Sequence, residues 1–386
     1  MAPSVSSYFF SRGLLAASFS VMVLSAAIDK HPGKVKPLPL DFDYDLRTSA
    51  QESRYNETAT LVRNTDLFQP PNLETLFTNQ SLERRRHGRK DVPGCGTPDL
   101  EPTCGRPLGL KFAAARPFAK FIRRIPAAKL FSGDAVLLVV DAYKGVFLFD
   151  ANGKRTLLFS RFGGHHVNFL NGIAVVQETG EIYVSEASRR FQLAQILVDF
   201  LERRPSGNLL RFDPRDESVH VEASKLGFPN GLTLDQDGTG VLISLMFQNK
   251  IARFGRATKQ IKDFAFLPGE PDNISIETVG TGDNETDVLM VGLVSRDDGG
   301  TFDHIKQSVQ LRKKLLQLPT SVEFGFIERI GVFVSLDLET GDIRHVYEAS
   351  KGQTPNISGA KRFGDYLYLT SPVRPSITRI PAAMVQ

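Results

Sequence analysis

The chain has 386 residues, of which 41% are hydrophobic and 23% are charged, and its formal net charge is +4. These values are ordinary for a globular protein and sufficient for a large core. Lys and Arg cluster at residues 84–90 and 111–129, but no nucleic-acid motif accompanies them. We therefore interpret both clusters as solvated loops and expect no nucleic-acid partner.

An apolar run near the N-terminus, Gly13–Ile28, follows a single positive charge and ends with the small residues Ser25 and Ala27. This pattern is typical of a signal peptide. The run is slightly short for a membrane span, although residues 8–10 can extend it into an uncleaved anchor. We assign residues 1–28 as a signal peptide or signal anchor, and we expect the remaining chain to enter the secretory pathway.

Residues 29–90 are polar and show little of the alternation that marks strands, so we treat them as a weakly patterned N-terminal segment. Glycosylation signals of the type Asn-X-Ser/Thr agree with a secretory route. They predict glycans at Asn56, Asn79, Asn284 and Asn356, and a further signal begins at Asn273.

Two cysteines, Cys95 and Cys104, are separated by a stretch that contains Gly and Pro. This stretch can fold back on itself, which favours a local disulfide worth about 2–3 kcal/mol by the loop-entropy model. Two free thiols in a reducing compartment are the alternative. Without further Cys or a nearby His, the pair is a poor zinc site.

From Arg106 onwards the sequence reads as a series of short strands separated by turns rich in Gly, Asn, Asp and Pro. Two units of the same design begin at Asn171-Gly172 and at Asn230-Gly231, and each continues with three further strand-length runs. Such a recurrence predicts propeller blades made of antiparallel meanders. Helical spacing interrupts the strands at residues 113–133 and 303–318.

Several motifs in register resemble the strictosidine synthase-like family, in particular its adipocyte plasma membrane-associated branch. They include the stretches at residues 101–110, 140–147, 180–189, 228–231 and 268–274. The resemblance implies an all-β, six-bladed propeller over residues 91–386, related to the paraoxonase and gluconolactonase propellers. It also implies a degenerate first blade within residues 29–90. The last unit of the sequence, residues 357–380, has too few strands to complete a blade, so we expect a strand from the N-terminal side to close the ring.

In calcium-dependent relatives, loops at one mouth of the propeller supply Asn and Asp oxygens to the metal, and the matching positions here are Asn171, Asn230, Asp272 and Asn273. The resemblance therefore implies a Ca²⁺ site, and hard cations do prefer such oxygen ligands. The alternative is that Asn-Gly is only turn chemistry. Asn273 brings a conflict, because a ligand buried at the channel cannot easily carry a glycan.

Three features bear on catalysis. The first-blade Glu of the calcium-binding relatives has no clear match, and Glu74 is only a guess. The alkaloid-condensing members use a last-blade Glu, whereas residues 356–359 here contain no carboxylate. His166, together with His165, lies shortly before Asn171, so His166 is a candidate general base, with a solvated loop histidine as the alternative.

We therefore predict a calcium-dependent hydrolase of small esters or lactones, similar to an arylesterase, with Asp272 or His166 as the catalytic base. The rival hypotheses are a non-catalytic, membrane-tethered binding propeller and an amine-condensing lyase, which the missing last-blade Glu disfavours. We expect a monomer that is held in the endoplasmic reticulum or plasma membrane by one N-terminal segment, or is secreted.

Overall fold

A computed structural model describes residues 100–280, 285–297, 300–316, 331–349, 354–373 and 377–385 of the chain. The expectations for the signal segment, for residues 29–90 and for Cys95 fall outside these described residues. No helix within them combines the length and the apolar character that crossing a lipid bilayer requires.

Five antiparallel sheets follow one another along the chain, and the strands of each lie side by side in chain order. Blade 1 contains β1 (Pro107–Ala114), β2 (Ala135–Asp141), β3 (Gly145–Phe149) and β4 (Arg155–Phe159). Blade 2 contains β7 (Leu170–Val175), β8 (Ile182–Glu186), β9 (Gly207–Asp213) and β10 (Ser218–Leu226). Between them, β5 (Arg161–Phe162) and β6 (His165–His166) form a separate hairpin.

Blade 3 contains β11 (Pro229–Leu234), β12 (Gly240–Leu245), β13 (Lys250–Gly255) and β14 (Ile261–Phe266). Blade 4 contains β15 (Gly269–Val279), β16 (Thr286–Arg296), β17 (Gly331–Leu336) and β18 (Ile343–Ala349). Blade 5 has three strands, β19 (Gly359–Phe363), β20 (Tyr366–Thr370) and β21 (Thr378–Pro381).

The first strand of each blade is the innermost one. Contacts between neighbouring blades run from β1 to β7, from β7 to β11, from β11 to β15 and from β15 to β19. The sheets are therefore arranged around a common axis, with their first strands nearest to it. This confirms the prediction of an all-β propeller with small antiparallel blades.

The prediction of six blades is wrong for the described residues, which form five blades. The segment expected to supply the additional blade, residues 29–90, lies outside the described residues. The blades at the two ends of the series carry exposed apolar side chains: Leu110 and Phe112 on β1 are 42% and 41% exposed, and Phe363 on β19 is 61% exposed.

The hydrophobic core lies between the blades and not in one central mass. Blades 1 and 2 enclose one cluster, blades 2 and 3 a second, blades 3 and 4 a third, and blades 4 and 5 a fourth. Middle strands such as β12 and β17 are buried along their whole length, since both faces pack against neighbouring sheets. This explains why their sequences are continuous apolar runs that lack alternation.

Short helices interrupt the blades. They are α1 (Glu101–Cys104), α2 (Ala119–Ile122), α3 (Ile196–Glu202), α4 (Thr301–Gln307) and α5 (Val309–Leu315), with 3₁₀ turns at Arg116–Phe118, Leu193–Gln195, Met246–Gln248 and Ala382–Met384. The helix predicted within residues 113–133 is reduced to one 3₁₀ turn and α2, whose Phe118 and Phe121 are fully buried. The helix predicted over 303–318 is divided in two, because the Ser308 hydroxyl caps α5 by accepting from Leu311 N.

Candidate functional site

The innermost strands present equivalent dipeptides near the end at which they begin, here called the entrance. Strand pairing shifts register at this point in β1, β7, β11 and β15, so each strand carries an irregularity there. The dipeptides are Leu108-Gly109, Asn171-Gly172, Asn230-Gly231, Asp272-Asn273 and, in blade 5, Ser358-Gly359. Bulges re-aim side chains and often occur beside functional sites.

The glycines of these dipeptides allow neighbouring strands to approach closely. A Cβ atom at Gly172 would lie 2.2 Å from Asn230 O, and one at Gly231 would lie 2.7 Å from Asp272 O. Any side chain at these positions would therefore collide with the backbone of the next blade. The Asn-Gly pattern thus serves close packing of adjacent blades, and is more than the turn chemistry considered above.

Two buried serines on the second strands fix this arrangement. Ser185 Oγ donates to Asn230 O at 2.6 Å and accepts from Gly172 N at 2.7 Å, and Ser244 Oγ donates to Asp272 O at 2.6 Å. The main-chain carbonyls of Asn230 and Asp272 are consequently engaged by the protein. Their side chains are the groups that remain for a ligand.

Asn230 and Asp272 form a buried polar pair. They are 4% and 9% exposed, and Asn230 Oδ1 has no hydrogen-bond partner among the described residues. Burial raises the pKa of Asp272 to about 7, because the hydrogen bond offered by the Asn230 side chain offsets only part of the lost solvation. An amide oxygen without a partner, next to a carboxylate removed from water, is suited to bind a cation or a polar ligand.

The other predicted ligands occupy different environments. Asn171 is half-buried at the equivalent position of the adjacent strand β7, so the structure brings Asn171, Asn230 and Asp272 to neighbouring strands at one end of the axis. Asn273 is exposed and stands one position further along, where the other blades have glycine, and its N–H donates to Ser358 O at 2.8 Å.

His166 lies on the short β6 strand and is exposed, as is its neighbour His165. Its hairpin contacts the outermost strand of blade 2, and its carbonyl accepts a hydrogen bond from Arg189 at 3.1 Å. This is the environment expected for a solvated loop histidine, which was the alternative interpretation of the sequence.

Residues 193–202, here called the cap, bring a helix against the entrance. The Phe200 ring of α3 lies 5.2 Å from that of Phe228 and 5.7 Å from that of Phe247, and Phe169 makes an edge contact of 5.6 Å with Phe228. Phe169 and Phe228 each precede a candidate ligand by two residues. The cap therefore places an aromatic cluster beside the polar pair.

Comparisons with known proteins agree with the sequence motifs. The strictosidine synthase family model matches residues 171–256. The adipocyte plasma membrane-associated protein of Gallus gallus is 27% identical over 95% of this chain and 88% of its own length. The protein STRICTOSIDINE SYNTHASE-LIKE 7 of Arabidopsis thaliana is 26% identical over 72% of this chain and 67% of its own.

The resemblance to the strictosidine synthase-like family is confirmed. The matched segment spans β7 to β13 and contains Asn171 and Asn230, whereas Asp272 lies beyond it. A gluconolactonase from Xanthomonas campestris is similar in structure, with 17% identity, a TM-score of 0.41, and coverage of 64% of this chain and 68% of that chain.

The remaining predicted sites are the glycosylation signals and the two cysteines. Asn356 is 5% exposed and its Nδ2 donates to Val294 O at 2.7 Å, an arrangement that disfavours glycan attachment in the folded protein. Asn56, Asn79 and Asn284 lie outside the described residues. Cys104 is disulfide-bonded at the end of α1, and Cys95 also lies outside the described residues.

Asp199 on α3 is a buried carboxylate that the sequence reasoning missed. It is 1% exposed, and neither carboxylate oxygen has a hydrogen-bond partner among the described residues. Burial raises its pKa to about 6, and the nearby Ser188 hydroxyl offsets part of this rise without completing a hydrogen bond. The folded protein therefore favours the protonated form of Asp199 at weakly acidic pH.

This burial predicts a pH-dependent stability. The folded protein holds the Asp199 proton up to about pH 6, whereas the unfolded chain releases it near pH 4. The stabilisation is therefore complete below about pH 4 and is lost as the pH rises to about 6. Relative to Asp199→Asn, the unfolding free energy of the parent should fall by up to about 3 kcal/mol across this window, as measured by urea denaturation. A difference that stays constant with pH would contradict this expectation.

Proposed function

We propose that this chain is a calcium-dependent hydrolase of small esters or lactones, with its site at the entrance of the propeller. The proposal depends chiefly on the buried Asn230–Asp272 pair, in which an amide oxygen lacks a partner among the described residues and a carboxylate is largely removed from water. Burial of such groups is costly unless something completes their interactions. A bound cation would do so.

The donor set fits a hard divalent cation. Ca²⁺ prefers carboxylate and amide oxygens and tolerates irregular geometry. Asp272 would supply the carboxylate, Asn230 its unpartnered Oδ1, and Asn171 a third side-chain oxygen from the adjacent strand. Asn273 is a weaker candidate ligand, because it is exposed and occupies the position at which the other blades have glycine.

Each group in this site has a distinct task. When bound, Ca²⁺ supplies positive charge that favours the oxyanion developing on an ester or lactone carbonyl. Asn230 orients the Asp272 carboxylate by hydrogen bonding, and the aromatic cluster under the cap limits the access of water. We propose Asp272 as the group that accepts the proton of the attacking water. His166, the other candidate, lies on an exposed hairpin.

A non-catalytic binding propeller is the rival proposal, and one observation favours it. Within the described residues, no group of three or more His, Cys, Asp or Glu side chains is placed to hold a metal ion. The site therefore depends on one carboxylate and on amides, with Glu74 outside the described residues. An amine-condensing lyase has less support, since residues 356–359 lack a carboxylate and the Ser358 hydroxyl pairs with that of Thr370 at 2.9 Å.

We further propose that the protein follows the secretory route and associates with a membrane through residues 1–28. The apolar run Gly13–Ile28 supports this proposal. So does the similarity to proteins named as plasma membrane-associated. A small ester or lactone as substrate, and a monomeric state, complete the proposal.

Calcium-dependent hydrolysis of phenyl acetate by the purified full-length protein tests the function. We expect EDTA to lower the initial rate by about 100-fold, which corresponds to roughly 2.7 kcal/mol of barrier, and added CaCl₂ to restore it. Calcium should also raise the melting temperature. Absence of both calcium binding and thermal stabilisation would favour the non-catalytic propeller.

A further inference from the structure

Arg203 follows the last residue of α3 and has a left-handed backbone conformation, with φ of 52°. Its N–H closes the helix by donating to Asp199 O at 2.7 Å. Glycine is the residue most often found in this conformation at the end of a helix, because other residues are strained there. The chain nevertheless has an arginine here, whose side chain extends from the cap to the blades.

The Arg203 guanidinium contacts two blades at once. Nη1 donates to Glu270 Oε1 at 2.6 Å, Nη2 donates to Phe247 O at 2.9 Å, and the group lies 4.8 Å above the centre of the Phe247 ring. The side chains of Arg203 and Glu270 are 11% and 2% exposed. Ser295 Oγ donates to the other Glu270 oxygen at 3.2 Å, so the carboxylate is held on both sides.

Both residues that Arg203 contacts, Glu270 and Phe247, lie close to a candidate ligand. Glu270 is the second residue of β15 and precedes Asp272 by two positions. The Phe247 ring lies 5.0 Å from that of Phe228, which precedes Asn230 by two positions and is itself in a left-handed conformation, with φ of 56°. Arg203 therefore joins the cap to the starts of the two strands that carry the polar pair.

We propose that Arg203 is a positioning residue, which couples the cap to the starts of β11 and β15 and so fixes the spacing of Asn230 and Asp272. Its importance for ligand binding rests on the proposed function, whereas the coupling itself does not. The planar fork of arginine makes both hydrogen bonds and the ring contact together, which a lysine ammonium cannot reproduce.

Arg312 provides a matched control, because it is a second arginine that holds the C-terminal end of the same helix. Its Nη1 donates to the carbonyls of Leu201 and Glu202 at 2.8 and 2.9 Å. Among the described residues, no hydrogen bond or ion pair joins Arg312 to β15 or to Phe247. An Arg312→Met variant should therefore loosen the cap without disturbing the strand starts.

The test compares Arg203→Met, Arg203→Lys and Arg312→Met in the full-length protein. Hydrogen exchange should accelerate at residues 270–274 in Arg203→Met and less in Arg203→Lys, whereas Arg312→Met should accelerate exchange in α3 alone. The calcium dissociation constant, measured by calorimetry with CaCl₂, should rise about 10-fold or more in Arg203→Met, as is typical when an outer partner of a ligand is lost. Arg203→Lys should recover part of this loss, and Arg312→Met should bind calcium like the parent.

Equal exchange at residues 270–274 in Arg203→Met and Arg312→Met would overturn the proposal. Exchange at residues 270–274 that is as slow in Arg203→Met as in the parent would also overturn the proposal. If the parent binds no calcium, the proposed function fails, and the exchange comparison still decides the positioning role. Should Arg203→Met not fold because Glu270 is left unpaired, the double variant Arg203→Met/Glu270→Gln removes the buried charge and permits the same comparison.

Discussion

Replacing Asp272 by asparagine should reduce calcium-dependent hydrolysis of phenyl acetate about 100-fold or more. Asp272 is the single carboxylate among the predicted ligands, and it is also the group assigned to accept the proton of water. Asparagine retains the shape of the side chain and can still pair with Asn230, so the fold should survive. Initial rates, the calcium dissociation constant and the melting temperature of the variant and the parent provide the measurement.

Asp263→Asn is the matched control for this prediction. Asp263 lies on β14 with a side chain that is 48% exposed, and it forms an ion pair with Lys250 at 2.6 Å. Loss of this carboxylate changes the net charge by the same amount but leaves the entrance intact, so activity should remain at the level of the parent. An Asp272→Asn variant that hydrolyses phenyl acetate as fast as the parent would remove the catalytic assignment.

A Gly172→Ala substitution should destabilise the protein by about 3 kcal/mol, at the upper end of the range for overpacking. The new methyl group would lie 2.2 Å from Asn230 O, which is a backbone atom held by Ser185 and therefore cannot move aside. β7 and β11 would have to separate. Urea denaturation of the variant and the parent measures the change in unfolding free energy.

The Gly359→Ala substitution tests whether steric contact, and not the loss of glycine itself, causes the destabilisation expected for Gly172→Ala. Gly359 holds the equivalent position in blade 5, where the nearest neighbours of an added Cβ are at 3.3 Å, including the Asn273 Cβ. We expect the unfolding free energy of Gly359→Ala to differ from that of the parent by about 1 kcal/mol or less, because the reduced freedom of the unfolded chain offsets part of the steric cost. Comparable destabilisation by both substitutions would contradict the close approach of blades 2 and 3.

Most of the strands could be predicted because their turns carry local chemistry. The runs Ile182–Ser185 and Val241–Ser244 fall within β8 and β12 to within one or two residues. Continuous apolar runs bounded by Gly and Asp leave few other structures for such segments. The number of blades was not predictable in the same way, since the additional blade was expected within residues 29–90, whose polar sequence shows little of the alternation that marks strands.

The cap was missed although a signal for it exists. Leu193, Ile196, Leu197, Phe200 and Leu201 follow the spacing of an amphipathic helix. Its contacts with the entrance, by contrast, have no local signal, because Arg203 and Glu270 are separated by 67 residues and meet only in the folded propeller.

The candidate site was predicted in part. The motifs identified Asn171, Asn230 and Asp272, which the structure brings to adjacent strands at one end of the axis. The resemblance also included Asn273, the residue after Asp272, as a matching ligand position. The blade register places Asn273 in the glycine position, and only pairing between strands establishes that difference of one residue.

The roles of Ser185 and Ser244 were equally inaccessible from the sequence. Each hydroxyl reaches the main chain of the following blade, 45 and 28 residues away respectively. These bonds engage the carbonyls of Asn230 and Asp272 and leave the side chains as the candidate ligands. Serines within apolar strands give no indication of such a partner until the blades are packed.

The central claim is that the side-chain oxygens of Asn230 and Asp272 hold one divalent cation at the entrance of the propeller. A crystal structure of the full-length protein grown with CaCl₂, with anomalous scattering used to locate calcium, tests it most directly. The claim predicts an ion about 2.3–2.6 Å from Asn230 Oδ1 and from a carboxylate oxygen of Asp272. An entrance that holds only water at saturating calcium, or an ion bound elsewhere, would contradict it.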